Sequence, residues 1–207
     1  MGFIKEACVE TLEQCLQAEK NGADRIELCA DLAYDGLTPS LALIRGAKEK
    51  LKIPIRVMIR PRPGDFVYSA AELEAMKTSI RDCIESGVEG VVFGVCTSAG
   101  ELDLQSLSDL VASSKHLKVT IHKAIDVCND PVRELVRLKS LGVDSVLSSG
   151  KAPTAKEGSS LLKEMVESAG NIEIVACGKV TNENLTEVDQ MIGAPAYHGK
   201  KIVGSLD

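Results

Sequence analysis

The stretch NGADRIELC, residues 21–29, decides the fold of this chain. Its glycine stands where a helix is expected to close, and the apolar run RIELC that follows is typical of a strand. The same arrangement recurs in SGVEG (86–90) and LGVD (141–144), each directly before another apolar run. Because helical spacing of apolar residues precedes each join, the sequence indicates a repeated βα unit.

Eight short apolar runs are predicted as strands: IKEACVE (4–10), RIELC (25–29), IRVMIR (55–60), GVVFGV (90–95), KVTIHKAID (118–126), SVLSSG (145–150), IEIVACG (172–178) and AYHG (196–199). Strands alternating with helices imply a parallel sheet, and eight of them favour closure into a (β/α)8 TIM-type barrel. We expect residues 1–207 to form one such domain, with a short or missing last helix. An open doubly wound sheet is the alternative, although no G-x-G-x-x-G follows the first strand.

Composition restricts the classes of partner. The chain is 44% hydrophobic and 26% charged with a net charge of -6, which fits a soluble protein and argues against a nucleic-acid partner. Neither a leader segment nor an apolar run of about 20 residues is present, so no membrane association is expected and the predicted location is cytoplasmic. Seven cysteines without a C-x-x-C pair are expected to be free thiols.

Side-chain alternation predicts a polar barrel interior. The outward face of each strand must be apolar because helices cover it, which turns the intervening side chains inward. The inward set is Glu6, Cys8, Glu10, Arg25, Glu27, Cys29, Arg56, Met58, Arg60, Thr120, His122, Cys177 and His198. Buried charges need partners, so Glu6 and Glu27 are expected to meet Arg25 or Arg56. Lys123 follows an inward histidine and is expected to point into the helix layer, which weakens a Schiff-base aldolase hypothesis.

The stretch MIRPRPGDF (58–66) is interpreted as the third strand running into its C-terminal loop. Arg60 is predicted on the inner wall and Arg62 over the mouth, where such barrels have their sites. Guanidinium groups suit carboxylate or phosphate, so a ligand anion is one expected partner. Pairing with Asp65, Glu10 or Glu27 is the alternative. Glu27 and His198 complete the predicted ligand-binding set.

These residues resemble the CutC copper homeostasis family. The matching stretches are EACVET (6–11), GADRIELC (22–29), GLTPS (36–40), VMIRPR (57–62), GDFVYS (64–69), GVVFGV (90–95), HKAID (122–126), SSG (148–150) and HG (198–199). The resemblance implies a (β/α)8 barrel, a cytoplasmic location and self-association as dimers or higher homo-oligomers. It also implies a role in copper handling through Cu(I) binding by cysteine, with the metal ligands falling on Cys8 and Cys29. The usual P-G-G-G-V turn reads ACGKV here (176–180).

Three chemistries stay open at this point. Cys8 and Cys29 end adjacent strands about 4.8 Å apart, which suits Cu(I), with Met58 as a third ligand; simple packing of the thiols is the alternative. An enzyme of isomerase or hydrolase type would use His122 with Asp126, or His198 with Glu10, for acid and base catalysis on a small anionic, possibly phosphorylated, metabolite. The third hypothesis is that the protein is a scaffold or a sensor of a small ligand.

Overall fold

A computed structural model describes residues 2–206 and shows a closed barrel of eight parallel strands in the order β1 to β8. The strands are β1 (Ile4–Val9), β2 (Arg25–Leu28), β3 (Ile55–Met58), β4 (Gly90–Phe93), β5 (Lys118–Ile121), β6 (Ser145–Ser148), β7 (Glu173–Ala176) and β8 (Ala196–Gly199). The helices are α1 (Leu12–Lys20), α2 (Leu41–Lys50), α3 (Ala70–Ser86), α4 (Leu104–Ser114), α5 (Pro131–Leu138), α6 (Ser159–Ser168) and α7 (Leu185–Ile192).

Pairing between the first and last strands closes the barrel. β8 lies parallel to β1, with Ile4 opposite Ala196 and Ala7 opposite Gly199. This pairing confirms the predicted (β/α)8 fold, and the open doubly wound sheet was wrong. Residues 200–206 form no helix, as expected from the sequence. None of the helices in residues 2–206 is long and apolar enough to cross a membrane.

Several helices begin at a polar residue that accepts a hydrogen bond from the first turn. Thr11, Ser40, Asp103 and Asp130 cap α1, α2, α4 and α5 in this way. Ser69 and Glu72 form a reciprocal capping box at the start of α3. Such caps satisfy amide groups that would otherwise lack an acceptor, so the loops before α1 to α5 are fixed where they meet their helices.

The largest core lies between the strands and the helices. Outward residues such as Ile26, Val57 and Ile121 are fully buried there against helix residues such as Ile80 and Leu110. This burial confirms the predicted alternation, because the neighbours of these residues along each strand face the barrel interior. The interior is consequently where the polar side chains are found.

A buried network of charged and hydroxyl side chains fills one part of the interior. Glu6 pairs with Arg25, and Arg25 also donates to Glu173 at 2.7 Å. Arg56 donates to the hydroxyl groups of Thr120 and Ser145. Pairing of Glu6 with an arginine was therefore predicted correctly.

Glu27 departs from that prediction, because its hydrogen bonds go to thiols rather than to an arginine. In register it lies opposite Cys8, two residues beyond Glu6 along β1, and this places it nearer the mouth than the arginine network. Its Oε2 accepts from the Sγ atoms of Cys8 and Cys29.

Several strands end earlier than the apolar pattern predicted. The clearest case is β5, which ends at Ile121, whereas the pattern extended to residue 126. Lys123–Val127 instead forms a 3-10 turn, in which the two-residue alternation no longer applies. Lys123 therefore lines the barrel mouth, and the expectation that it points into the helix layer was wrong.

Candidate functional site

The carboxyl ends of the strands surround a cavity of about 910 Å³. Six of the residues predicted as site residues line it: Cys8, Glu27, Arg60, His122, Asp126 and His198. Cys29, Glu10 and Arg62 are not part of the lining. Sequence alternation thus brought most candidates to one cavity, as expected for side chains at the same end of parallel strands.

Two thiols meet a carboxylate at one side of this cavity. The Sγ atoms of Cys8 and Cys29 lie 3.5 Å and 3.4 Å from Oε2 of Glu27, to which both donate. One ligand atom from each of the three residues lies within 4.8 Å of the others. β1 and β2 bring the residues together because Cys8 lies opposite Glu27 in register and Cys29 directly follows the end of β2. Met58 belongs to the same small buried cluster as both cysteines.

The local electrostatics favour ionisation of one thiol of the pair. The hydrogen bond from the neighbouring Cys29 thiol lowers the pKa of Cys8 well below the ordinary value of 9.0, against the opposing effect of burial. The same interaction raises the pKa of Cys29. A thiolate is the form that binds a metal ion, so the direction of this shift favours Cys8 as a metal ligand.

Glu27 and His198 form a second buried contact beside the thiols. Burial raises the pKa of Glu27 to about 8. Burial would lower the pKa of His198, but the charge of Glu27 and hydrogen bonds to Cys8 and Glu6 outweigh it and raise that pKa well above 6.5. Nε2 of His198 lies 3.8 Å from Oε2 of Glu27, and Nδ1 lies 2.8 Å from Oε1 of Glu6. Glu27 and His198 are therefore a titratable pair, and the contact of His198 with Glu6 connects the cavity to the buried network.

The donor set fits a soft cation. Two sulfur ligands from cysteine, with a thioether sulfur next to them, match the preference of Cu(I). The other oxygen of Glu27, Oε1, is buried without a hydrogen-bond partner among the described residues. A buried oxygen without a donor is unfavourable unless a proton or a cation meets it.

His122 is fixed in one tautomer. Its Nδ1 accepts a hydrogen bond from the amide of Ala124 at 3.1 Å, so the proton of the neutral ring lies on Nε2. Burial and the charge of Arg60 lower the pKa of His122 to about 3. Gly94 makes room for the ring, because a Cβ there would lie 2.7 Å from Nδ1. The neutral ring of His122 therefore presents an N–H donor at Nε2, and its predicted role in proton transfer stays a prediction.

Asp126 accepts hydrogen bonds from the loop after β6. Its Oδ1 accepts from the hydroxyl of Ser148, and its Oδ2 accepts from the amide and the hydroxyl of Ser149. The amide of Lys151 is a further donor, at 3.3 Å. Asp126 therefore holds the SSG turn in place, and the structure does not pair it with His122 as the sequence had suggested.

The two arginines of MIRPRPGDF have different surroundings. Arg60 is 5% exposed and donates to the carbonyl groups of Tyr34, Gly36 and Gly64, with its guanidinium 5.2 Å from the ring centre of Phe66. It therefore ties the loop after β2 to the loop after β3.

Arg62 instead turns away from the cavity. It pairs with Asp65 at 2.9 Å and with Glu72, the capping residue of α3. Its predicted place over the mouth was wrong, because these two carboxylates hold it at the start of α3.

Glu10 also lies outside the cavity lining. Its carboxylate accepts from the amide of Leu32 at 2.8 Å, while its own amide donates to Gln14. This geometry orders the loop after β2, and it does not bring Glu10 to His198.

Of a group of five lysines at the mouth, only Lys151 and Lys179 were noted from the sequence, as lysines in loops after strands. The cavity lining includes Lys123, Lys151, Lys179, Lys200 and Lys201. Each follows a predicted strand or lies near its end, and this position was the available signal. Lys179 adopts a left-handed backbone with φ of 54°, in the turn where the family pattern has glycine.

Sequence comparison with known proteins shows which family the chain is similar to. Residues 3–203 match the CutC family model. A human relative named copper homeostasis protein cutC homolog is 42% identical over 198 residues, which cover 95% of this chain and 72% of that protein. A Parabacteroides distasonis protein named as CutC family is 42% identical over 201 residues, covering 96% of this chain and 82% of that protein.

Solved structures show the same fold. A CutC crystal structure from Streptococcus agalactiae superposes with a TM-score of 0.93 at 33% identity and covers 97% of this chain and 100% of its own. The thiamine phosphate pyrophosphorylase of Pyrococcus furiosus, with a TM-score of 0.65, 13% identity and coverage of 99% and 91%, shares the barrel fold alone. The chain described here therefore belongs to the CutC family of copper homeostasis proteins.

Proposed function

We propose that this protein binds Cu(I) through Cys8 and Cys29 as part of copper homeostasis in the cytoplasm. The observation that carries the proposal is the meeting of two buried thiols at one carboxylate oxygen, at 3.5 Å and 3.4 Å. Cu(I) takes two or three soft ligands, and a pair of thiols at this spacing needs little rearrangement to share one ion. Copper is here the cargo of the protein.

The surroundings of the thiols support a cuprous site. The lowered pKa of Cys8, caused by the Cys29 thiol, reduces the free energy needed to form a thiolate ligand. Met58 belongs to the same buried cluster and supplies a thioether as the third ligand. Charged His198 lies beside Glu27 and offsets the negative charge of a dithiolate complex.

The cellular setting and assembly state are part of the same proposal. All seven cysteines, including the five outside the pair, are free thiols. Free thiols are typical of proteins in reducing compartments, which supports the cytoplasmic location. By analogy with the family, we propose that residues 1–207 act as one barrel domain that assembles into dimers or higher homo-oligomers.

The test is an anaerobic Cu(I) titration against a chromogenic chelator. Wild-type protein is expected to remove one Cu(I) per chain from the chelator, and the Cys8→Ala, Cys29→Ala double variant is expected to remove none. A matched control is the Cys15→Ala, Cys83→Ala double variant, because these thiols are equally buried but lie on α1 and α3.

Folding of each variant is checked by circular dichroism and thermal melting. Equal Cu(I) binding by wild type and the Cys8, Cys29 variant would contradict the proposal. Loss of binding in the Cys15, Cys83 control at unchanged melting temperature would contradict it as well.

The cavity supports a second candidate function, an enzyme acting on a small anionic metabolite. About 910 Å³ is far more space than one metal ion occupies and is within the range of small-molecule sites. Since Asp126 and Glu10 are used by loops, proton transfer would fall to Glu27 and His198, which lie 3.8 Å apart. A pKa of about 8 for Glu27, raised by burial, suits a group that exchanges protons near neutral pH.

Solvent deuterium exchange tests this candidate without knowledge of the product. Copper-free protein is incubated in D2O with sugar phosphates and hydroxy acids, and loss of C–H signals is followed by NMR. An isomerase is expected to exchange a proton next to a carbonyl, and Glu27→Gln is expected to abolish the exchange. Absence of any exchange or hydrolysis across the panel would count against the enzyme.

A further inference from the structure

Two buried N–H groups of the cavity wall have no acceptor. In residues 2–206, Nε of Arg60 and Nε2 of His122 are among the few buried side-chain atoms without a hydrogen-bond partner. Their side chains are 5% and 3% exposed, and both line the cavity. Because native proteins rarely leave buried donors unpaired, two of them in one cavity point to an acceptor that comes from outside the chain.

The identity of the atoms shows which kind of acceptor fits. The amide of Ala124 occupies Nδ1 of His122, so Nε2 presents a hydrogen to the cavity and not a lone pair. Nε of Arg60 is likewise a donor under all conditions. Both groups therefore require an oxygen that accepts hydrogen bonds, and neither suits a metal ion.

Arg60 adds a buried positive charge without a counter-charge. Its three carbonyl partners, those of Tyr34, Gly36 and Gly64, are neutral, and so is the nearby phenol of Tyr68. Within the described residues no carboxylate lies within ion-pair distance of Arg60. A cation removed from water is unfavourable unless an anion compensates it. Arg60 and His122 both contact the ring of Phe66, whose centre lies 5.2 Å from the guanidinium carbon and 4.8 Å from the centre of the imidazole. The two donors therefore act on one region of the cavity.

The rim of the cavity is cationic although the chain as a whole is acidic. Five lysines line the mouth and, between residues 2 and 206, none of them forms an ion pair with a carboxylate. The full sequence has a net charge of -6. A local excess of positive charge at a concave mouth attracts and concentrates anions.

We propose that Arg60 and His122 bind the oxyanion group of a small organic acid, a carboxylate or a phosphate, in this cavity. Leu147 and Phe66 also line the space and would contact the neutral body of that molecule. This site is separate from the Cu(I) ligands. The proposal rests on the second candidate function in one respect, namely that a small anion occupies the cavity. In that setting His122 is a neutral donor to the ligand and the proton transfer stays with Glu27 and His198.

Isothermal titration calorimetry of copper-free protein tests the proposal with malate, glycerol 3-phosphate and glycerol as probes. Malate or glycerol 3-phosphate is expected to bind and glycerol is not, and the tighter of the two identifies the anionic group. Removing the donor with His122→Phe, which keeps a ring of similar size, is expected to weaken binding by about tenfold or more. His116→Phe is the matched control, because His116 is exposed and lies outside the cavity.

A second measurement covers the case in which a variant folds poorly. The Nε2–H resonance of His122 in wild-type protein is followed by NMR and is expected to shift on addition of the bound anion. Failure of both anions to bind, or equal binding by wild type and a folded His122→Phe, would overturn the site.

The outcomes for the two functions remain distinguishable. The Cys8→Ala, Cys29→Ala variant is expected to bind the anion as wild type does. Binding without deuterium exchange or hydrolysis would refute the enzyme and leave the anion site standing. The Cu(I) titration is independent of both.

Discussion

Replacing Glu6 by glutamine removes one charge from the centre of the buried network. Glu6 is 1% exposed, pairs with Arg25 and lies 2.8 Å from Nδ1 of His198. Although burial alone would raise the pKa of Glu6, the hydrogen bond to His198 and the charge of Arg25 lower it from 4.5 to about 2. That difference, at about 1.36 kcal/mol for each pKa unit, corresponds to roughly 3 kcal/mol of stability at pH 7. Breaking a buried ion pair by removing one partner costs a similar amount, about 3–5 kcal/mol.

The contribution of Glu6 depends on pH in a defined direction. Since its pKa is lower in the folded state, the stabilisation is fully present above 4.5 and is lost as the pH falls toward about 2. The difference in unfolding free energy between wild type and Glu6→Gln is therefore expected to be largest at pH 7 and smaller at pH 4. Denaturation by urea, followed by circular dichroism at both pH values, measures it.

A matched control separates burial from charge. Glu187 pairs with Lys156 on the surface, where both side chains are more than half exposed, so Glu187→Gln is expected to cost less than about 1 kcal/mol. A Glu6→Gln variant that loses no more stability than Glu187→Gln would refute the reasoning. A loss that stays the same from pH 7 to pH 4 would show that packing, and not charge, is responsible.

Three further substitutions have expected outcomes. Gly94→Ala places a Cβ 2.7 Å from the ring of His122, so it is expected to displace that ring and to weaken anion binding in calorimetry as His122→Phe does. Arg62→Ala removes the partly exposed ion pairs with Asp65 and Glu72 and is expected to leave anion affinity unchanged, because Arg62 lies outside the cavity lining. A large loss of affinity would restore Arg62 to the site. Gly199→Ala would put a Cβ 2.1 Å from the carbonyl oxygen of Val180, so it is expected to lower the free energy of unfolding by about 1–3 kcal/mol in urea denaturation. Gly2→Ala is the control, because a Cβ there meets nothing within 4 Å.

The sequence was sufficient to predict the barrel and the inward placement of the thiols. Both follow from short-range rules, because strand alternation and βα punctuation are local properties of the chain. Cys8 and Cys29 were placed together correctly, since adjacent parallel strands fix the spacing of their neighbouring residues.

The placements that the sequence did not predict depend on loops, where no such periodicity exists. Arg62 turned away because Glu72, ten residues later, caps α3 and holds its guanidinium. Asp126 was expected to serve as a proton donor or acceptor, but it binds the turn formed by Ser148 and Ser149. Lys123 faces the cavity because the strand pattern gives way to a 3-10 turn at that point. In each case the decisive partner lies in a loop or helix start that the strand pattern does not describe.

The buried network of Glu6, Arg25, Glu173 and His198 also bears on folding kinetics. Its hydrogen bonds join residues 148 and 192 positions apart, because it bridges the first two strands and the last two. Contacts of such long range form only when the final strand has docked, after most of the chain is in place. Interactions that form after the transition state slow unfolding and leave the folding rate almost unchanged. The network therefore determines how long a barrel stays closed, and has little influence on how quickly it closes.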